Sequence, residues 1–177
     1  PYAVEMFFDK ESDEYIRGLW RTLRESGISS YMYDSENVPH IVIGFQLTGI
    51  AKVDKRLISF TEKVSKFKLV LVNLGAFPTD EGFVPDPVVN EELLGVHKAF
   101  HDLFDDLIEN QMPYYLPVLW IPYCTLSLNI TRGKVHEALY AVIRTYKLMP
   151  IIAEVNRVGL VEHHLVNVIK VCKLKEE

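Results

Sequence analysis

The chain has 177 residues, 49% of them hydrophobic and 24% charged. That length buries roughly two thirds of the unfolded surface in one domain without a staple, and the composition excludes a disordered or low-complexity chain. A formal net charge of -5 opposes broad electrostatic adhesion to long nucleic acid and leaves room for a local phosphate pocket. No apolar run approaches the roughly 20 residues that span a bilayer, and the first residues lack the basic start and apolar centre of a secretory leader. A cytoplasmic protein with no membrane partner is therefore expected, its two cysteines Cys124 and Cys172 reduced.

In chain order, "YAVEMFF" (2–8) alternates in part and is rich in aromatic and aliphatic groups, which predicts a strand. Ser12 is the expected cap of a helix in which Tyr15, Ile16, Leu19, Trp20 and Leu23 recur at helical spacing and which Gly27 ends. "SSYMY" (29–33) is expected to start a second strand, "NVP" to turn the chain, and "HIVIGFQL" (40–47) to form a third. Residues 52–66 carry Val53, Leu57, Phe60 and Val64 on one side, the mark of an amphipathic helix. "KLVLVNLGAF" (68–77) reads as a strand entering the Pro- and Gly-punctuated loop "FPTDEGFVPDP" (77–87). A helix over about 90–109 follows, with Leu93, Val96, Phe100, Phe104 and Leu107 on its apolar face. "IPYCTLSL" (121–128) is expected to be a strand, residues 133–147 a helix, and "IIAEVNRVGLVE" and "VNVIKVCKL" two closing strands.

The two halves run in a similar order. Each has a strand-helix unit, then a Pro followed by a ring-bearing residue and alternation: Pro39-His40 in the first half, Pro122-Tyr123 in the second. A repeat of this period is too long for a solenoid. The expected fold is α+β and bilobal: one domain over 1–177 made of two pseudo-symmetric strand-helix lobes, with antiparallel sheets facing a central cleft. Period-two geometry puts His40 and Val42 on one strand face and Tyr123, Thr125 and Ser127 on another, so an imidazole, a phenol and hydroxyls are expected to converge across that cleft.

Here the sequence resembles the 2H phosphoesterases, the 2'-5' RNA ligase-like or cyclic phosphodiesterase family, whose members carry two His-x-Thr/Ser motifs, one per lobe. "PHIVI", "LVLVNLGAFP", "PDPVVNEELLGVHKAF" and "IPYCTL" come in the family's order, and the resemblance covers nearly the whole chain. It implies a metal-independent, cofactor-free site in which two histidines serve as general base and general acid on a 2',3'-cyclic phosphate or a 2'-5' linkage while hydroxyls hold phosphate oxygens. Imidazole, with an ordinary pKa near 6.5, suits either end of such a proton transfer. Each motif is degenerate here. His40-Ile41-Val42 keeps the imidazole and has Val42 at the hydroxyl position, whereas Tyr123-Cys124-Thr125 keeps the hydroxyl and has Tyr123 at the imidazole position. Letting Cys124 stand for the histidine breaks the Pro-ring-x-Thr pattern and turns the thiol to the opposite face.

The resemblance thus assigns His40, Tyr123 and Thr125 as catalytic and Thr125 and Ser127 as phosphate-binding. Tyr123 is expected to donate a hydrogen bond or act as an acid, since a phenol of ordinary pKa near 10 is a poor base. Two functions stay open: a hydrolase or RNA ligase-like enzyme of weakened or lost catalysis, acting on a small phosphodiester or RNA terminus, and a non-catalytic descendant that binds a ligand or another protein.

Other candidates have plainer readings. His97 and His101 stand four apart, as metal ligands do, yet fall on the apolar stripe of their helix and read as core or boundary residues. His163 and His164 are expected at a solvated hairpin tip. Lys52, Lys55, Arg56, Lys63 and Lys66 form a basic helix side that suits an RNA backbone or simply solvent, with Asp54 and Glu62 interleaved. Arg132 and Arg157 are cations near strand ends. The chain has no phosphate-binding Gly-rich loop followed by Lys, no Ser-x-x-Lys and no HExxH, which leaves triphosphatase, acyl-enzyme and zinc-protease chemistry without a basis.

Overall fold

Alternation in "YAVEMFF" sends Val4, Met6 and Phe8 into the main hydrophobic core and leaves Ala3, Glu5 and Phe7 for the other face of the strand. The computed structural model describes every residue except 78–81, 111, 132, 146–149, 164–165 and 177. Its elements are β1 (Tyr2–Phe8), α1 (Lys10–Glu25), α2 (Tyr31–Asp34), β2 (His40–Leu47), α3 (Ile50–Lys63), β3 (Phe67–Phe77), β4 (Gly82–Pro87), α4 (Glu91–Phe104), α5 (Val135–Thr145), β5 (Ile151–Glu162) and β6 (Asn167–Lys173). Arg132 and His164, both singled out in the sequence, lie outside the described residues.

The fold is α+β with antiparallel strand pairing, as expected. The strands join into one six-stranded sheet in the order β2-β1-β5-β3-β4, and β6 also pairs with β5. Strand β5 links the two parts. Its C-terminal portion pairs with β1 from Tyr2↔Glu162 to Phe8↔Val155 and with β6 from Arg157↔Lys173 to Glu162↔Asn167, while its N-terminal portion pairs with β3 from Phe67↔Val155 to Leu71↔Ile151. β3 and β6 therefore share one edge of β5 and meet end to end, where Lys66 N donates to Lys175 O.

In β2 a register shift decides which side chains share a face. Glu5 pairs with Val42 and Val4 with Gly44, so Ile43 is an extra residue. His40 and Val42 lie on the Glu5 side, and after the bulge Phe45, opposite Ala3, joins them. Gly44 is turned the other way onto α4: a Cβ built there would lie 2.2 Å from Cε1 and Cζ of Phe100. Phe100 is fully buried, stacked on Phe104 with centroids 4.5 Å apart and edge-on to Phe60 at 6.0 Å. Burying each such ring contributes on the order of 2–3 kcal/mol, so the apolar stripe of α4 anchors the back of β2.

Four expectations are corrected. Asp9 rather than Ser12 caps α1, accepting from Ser12 N at 3.1 Å and from Glu154 N of β5 at 2.7 Å. "SSYMY" is no strand: residues 31–34 form α2, which docks on α1 through Arg24–Asp34 at 2.7 Å and through the guanidinium of Arg24 5.0 Å from the Tyr33 ring. Residues 82–87, read as loop, are β4. The helix expected to reach 109 ends at Phe104, and a 3-10 turn covers Asp105–Leu107.

A fifth correction concerns residues 121–128, which form no regular strand. The neighbouring edge belongs to β4, where Pro85 and Pro87 have no N–H to give, and Pro122 lacks one on the other side. Among the described residues Cys124 N donates to Pro85 O at 3.1 Å, and at the start of the segment Ile121 N donates to Tyr114 O at 3.0 Å. Two indoles hold the segment instead: Trp20 Nε1 donates to Thr125 O at 2.9 Å, and Trp120 Nε1 donates to Val42 O at 3.2 Å.

Candidate functional site

His40, Val42 and Phe45 of β2 form one wall of a cleft of about 190 Å³. Tyr115, Tyr123, Thr125 and Leu128 form the wall opposite in sequence, α2 and the stretch after it add Tyr31, Met32 and Asn37, and the turn between β5 and β6 adds His163 and Val166. The three residues assigned to catalysis from the sequence are thus brought to one cleft. His40 and Thr125 sit low in it, at 7% and 8% exposure. Ser127 does not line it. Once the segment leaves strand geometry, period-two alternation no longer holds, and Ser127 turns inward with a fully buried Oγ that has no hydrogen-bond partner among the described residues.

Glu5 sits behind this wall. A carboxyl at 3% exposure in the middle of an apolar strand needs partners, because desolvating it unpaired is costly. Two imidazoles provide them. His163 Nε2 lies 2.9 Å from Glu5 Oε1, and His40 Nδ1 lies 3.5 Å from Glu5 Oε2. His40 Nδ1 is also 2.6 Å from Val38 O. A carbonyl oxygen only accepts, so in that bond Nδ1 carries the hydrogen and Nε2 is the ring nitrogen left for a ligand.

His163 lies in the β5–β6 turn as expected, but its side chain is not left to solvent. Its side chain is 30% exposed, and its ring stands edge-on to Phe45 at 5.3 Å. Parity explains the placement. Glu5 pairs with Gly159 and Ala3 with Val161 on β5, and His163 is the next residue of that series, its N–H donating to Pro1 O. Sequence reasoning missed Glu5 and His163. The available signal was an acid flanked by Val4 and Met6 inside "YAVEMFF".

Tyr123 is held by rings. Its hydroxyl is 3.1 Å from that of Tyr115, and its ring meets Phe77 edge-on at 5.0 Å. Tyr115 is fixed in turn through its carbonyl oxygen, which lies 3.0 Å from Nε2 of His97 and 2.9 Å from Nε2 of His101. His101 Nδ1 reaches Asp105 at 2.7 Å, and His97 stacks on Trp120 at 3.9 Å. Burial, reinforced by His101, pushes His97 down to about 4. Both histidines are core residues as the stripe implied, and they serve the placement of the Tyr115–Tyr123 segment.

Cys124 is fully buried, and burial pushes its thiol up to about 12, so it is no proton-transfer group at neutral pH. Among the described residues no group of three or more His, Cys, Asp and Glu side chains is placed to hold a metal ion. Two of the basic side chains named in the sequence, Arg56 of α3 and Lys66 beyond its end, have partners outside the cleft. Arg56 pairs with Asp106 and donates to Leu103 O at 2.7 Å, and Lys66 pairs with Glu176 at 2.6 Å. Arg157 donates to Phe8 O at 2.7 Å and to Asn156 Oδ1 at 3.1 Å, away from the cleft. Among the described residues no helix is long and apolar enough to cross a membrane.

Strand order and helices together give the fold seen in E. coli LigT and in a solved phosphoesterase. No family model and no curated protein matches the sequence. Solved structures match along almost the entire chain. E. coli LigT complexed with 3'-AMP is similar with a TM-score of 0.61 and 13% identity, over 99% of this chain and 98% of LigT. A phosphoesterase is similar at TM-score 0.58 and 13% identity, again over 99% and 98%. LigT has also been crystallised with ATP, and that structure matches at TM-score 0.54 and 12% identity over 99% and 97%.

Proposed function

We propose that the cleft binds a small phosphodiester, a 2',3'-cyclic phosphate or an RNA terminus, and opens the cyclic phosphate to a monoester. The observation that carries this is the meeting of His40, Tyr123 and Thr125 in one cleft, within a fold whose similar structure, LigT, holds 3'-AMP. His40 Nε2 takes a proton from the attacking water. Thr125 donates its hydroxyl to a phosphoryl oxygen, and Tyr123 offers a second donor. Val42 stands where the resemblance places a hydroxyl, and Tyr123 where it places an imidazole, so turnover is slow unless another group supplies the leaving oxygen with its proton. Losing one acid-base partner costs roughly 10²–10⁴ in rate.

Purified protein incubated with a 2',3'-cyclic nucleotide, beside a His40→Ala variant, tests the reading. The expected result is monoester formation that falls by roughly 10²-fold or more in the variant. Equal turnover in both removes His40 from the chemistry. Saturable binding without turnover, seen by calorimetry, identifies the cleft as a non-catalytic ligand site.

A further inference from the structure

We infer that His163 is the second proton-transfer residue of this cleft, supplying from the β5–β6 turn the imidazole that position 123 lacks. This rests on the phosphodiester reading above. His163 lines the same cleft as His40 and Tyr123, and its side chain is 30% exposed, accessible to a ligand yet fixed on two sides. Glu5 Oε1 lies 2.9 Å from Nε2, and the Phe45 ring stands 5.3 Å away at 82°. An ionised carboxylate accepts only, so the shared hydrogen sits on Nε2, and Nδ1 is the nitrogen left to face a substrate.

The other oxygen of the same carboxylate lies 3.5 Å from His40 Nδ1, and the Val38 carbonyl takes the hydrogen of that nitrogen. One buried acid is thus flanked by two imidazoles, one from β2 and one from the β5–β6 turn: it holds His163 by a hydrogen bond while Val38 O holds His40, and each ring keeps one nitrogen for a ligand. Glu5 is a positioning residue. Tyr123 is less suited to the acid role, since its hydroxyl is engaged with that of Tyr115 and a phenol is a weaker proton donor than an imidazolium.

The step balances with water as the sole co-reactant. Water oxygen bonds to phosphorus and its proton goes to Nε2 of His40. One ribose P–O bond breaks, and the departing oxygen takes the proton of Nδ1 from a doubly protonated His163. The products are a phosphomonoester and a free ribose hydroxyl, with His40 protonated and His163 neutral; proton exchange with solvent resets both.

The test compares the wild type, His163→Gln and His40→Ala on two substrates: a 2',3'-cyclic nucleotide, and bis(4-nitrophenyl) phosphate, whose nitrophenolate departs without a proton. His163→Gln is expected to lose roughly 10²–10⁴ on the cyclic nucleotide and far less on the nitrophenyl diester. His40→Ala is expected to lose comparably on both. A His163→Gln loss that is absent on the cyclic nucleotide, or equal on the two substrates, overturns the assignment while leaving the phosphodiester reading intact. If His40→Ala is unimpaired on both, the reading itself fails and the assignment with it. His163→Phe, which keeps a ring against Phe45, must reproduce the substrate-dependent loss; a variant that is merely misfolded loses both activities alike.

Discussion

Substitution of Gly44 by alanine tests the link between packing and site. Ordinary carbon-carbon contact lies near 3.5–4.0 Å, whereas the added methyl would begin 2.2 Å from two carbons of the Phe100 ring. The overlap is therefore over about 1 Å, and the ring has nowhere to go, being stacked on Phe104 and edge-on to Phe60 with no exposed surface. Forced repacking of this kind costs about 1–3 kcal/mol. Because Gly44 follows the bulge that aligns Val42 and Phe45, relief by movement of β2 would also disturb the cleft. Urea denaturation should show Gly44→Ala shifted to a lower midpoint at unchanged slope. In a double-mutant cycle with Phe100→Leu, the combined loss should fall short of the sum of the two single losses. An unchanged midpoint for Gly44→Ala, or strict additivity in the cycle, refutes the packing of Gly44 on Phe100.

Two further outcomes follow from the buried histidine and the first motif. His97 is held neutral with its pKa down at about 4 against an ordinary 6.5; the unfolded chain binds the proton more readily, so stability is full above about pH 6.5 and is lost as pH falls toward 4. The linkage amounts to about 2 kcal/mol by pH 5, read as the drop in unfolding free energy between pH 8 and 5, and His97→Gln should flatten that slope even though it loosens the stack on Trp120. Val42→Thr restores a hydroxyl beside His40 on the cleft wall, and should lower KM for a 2',3'-cyclic nucleotide; an unchanged or higher KM places the phosphate away from β2.

Periodicity was informative wherever one face of an element meets the core. The stripes of Ile16, Leu19 and Leu23, of Val53, Leu57 and Phe60, and of Leu93, Phe100 and Phe104 are all buried on their helices. It misled where the neighbour rather than the segment decides conformation. "IPYCTLSL" alternates like a strand, but Pro85 and Pro87 on the adjacent edge deny it a ladder, and alternation without a ladder does not carry Ser127 to the Thr125 face. "SSYMY" is too short for any period, and its residues join a short helix that meets α1 through Arg24. The candidate site was half legible. His40, Tyr123 and Thr125 were marked by the repeated Pro-ring pattern, whereas His163 carries no local mark at all.

What fixes His163 is long-range. β1 lies between β2 and β5, so a side chain at its centre has neighbours from both halves of the sequence. At Glu5 those cross-strand neighbours are Val42 and Gly159, neither of which offers a hydrogen bond. The carboxylate must therefore find partners along the strands rather than directly across them, on the face where side chains recur every second residue. On β2 the position two before Val42 is His40; on the β5 side the positions after Gly159 are Val161, which is apolar, and then His163. An acid in the interior of "YAVEMFF" is tolerated with His163 hydrogen-bonded to it and His40 3.5 Å away, and both imidazoles line the cleft. The charge that looks misplaced in the first strand is thus the group that lies between two imidazoles 123 positions apart in the chain.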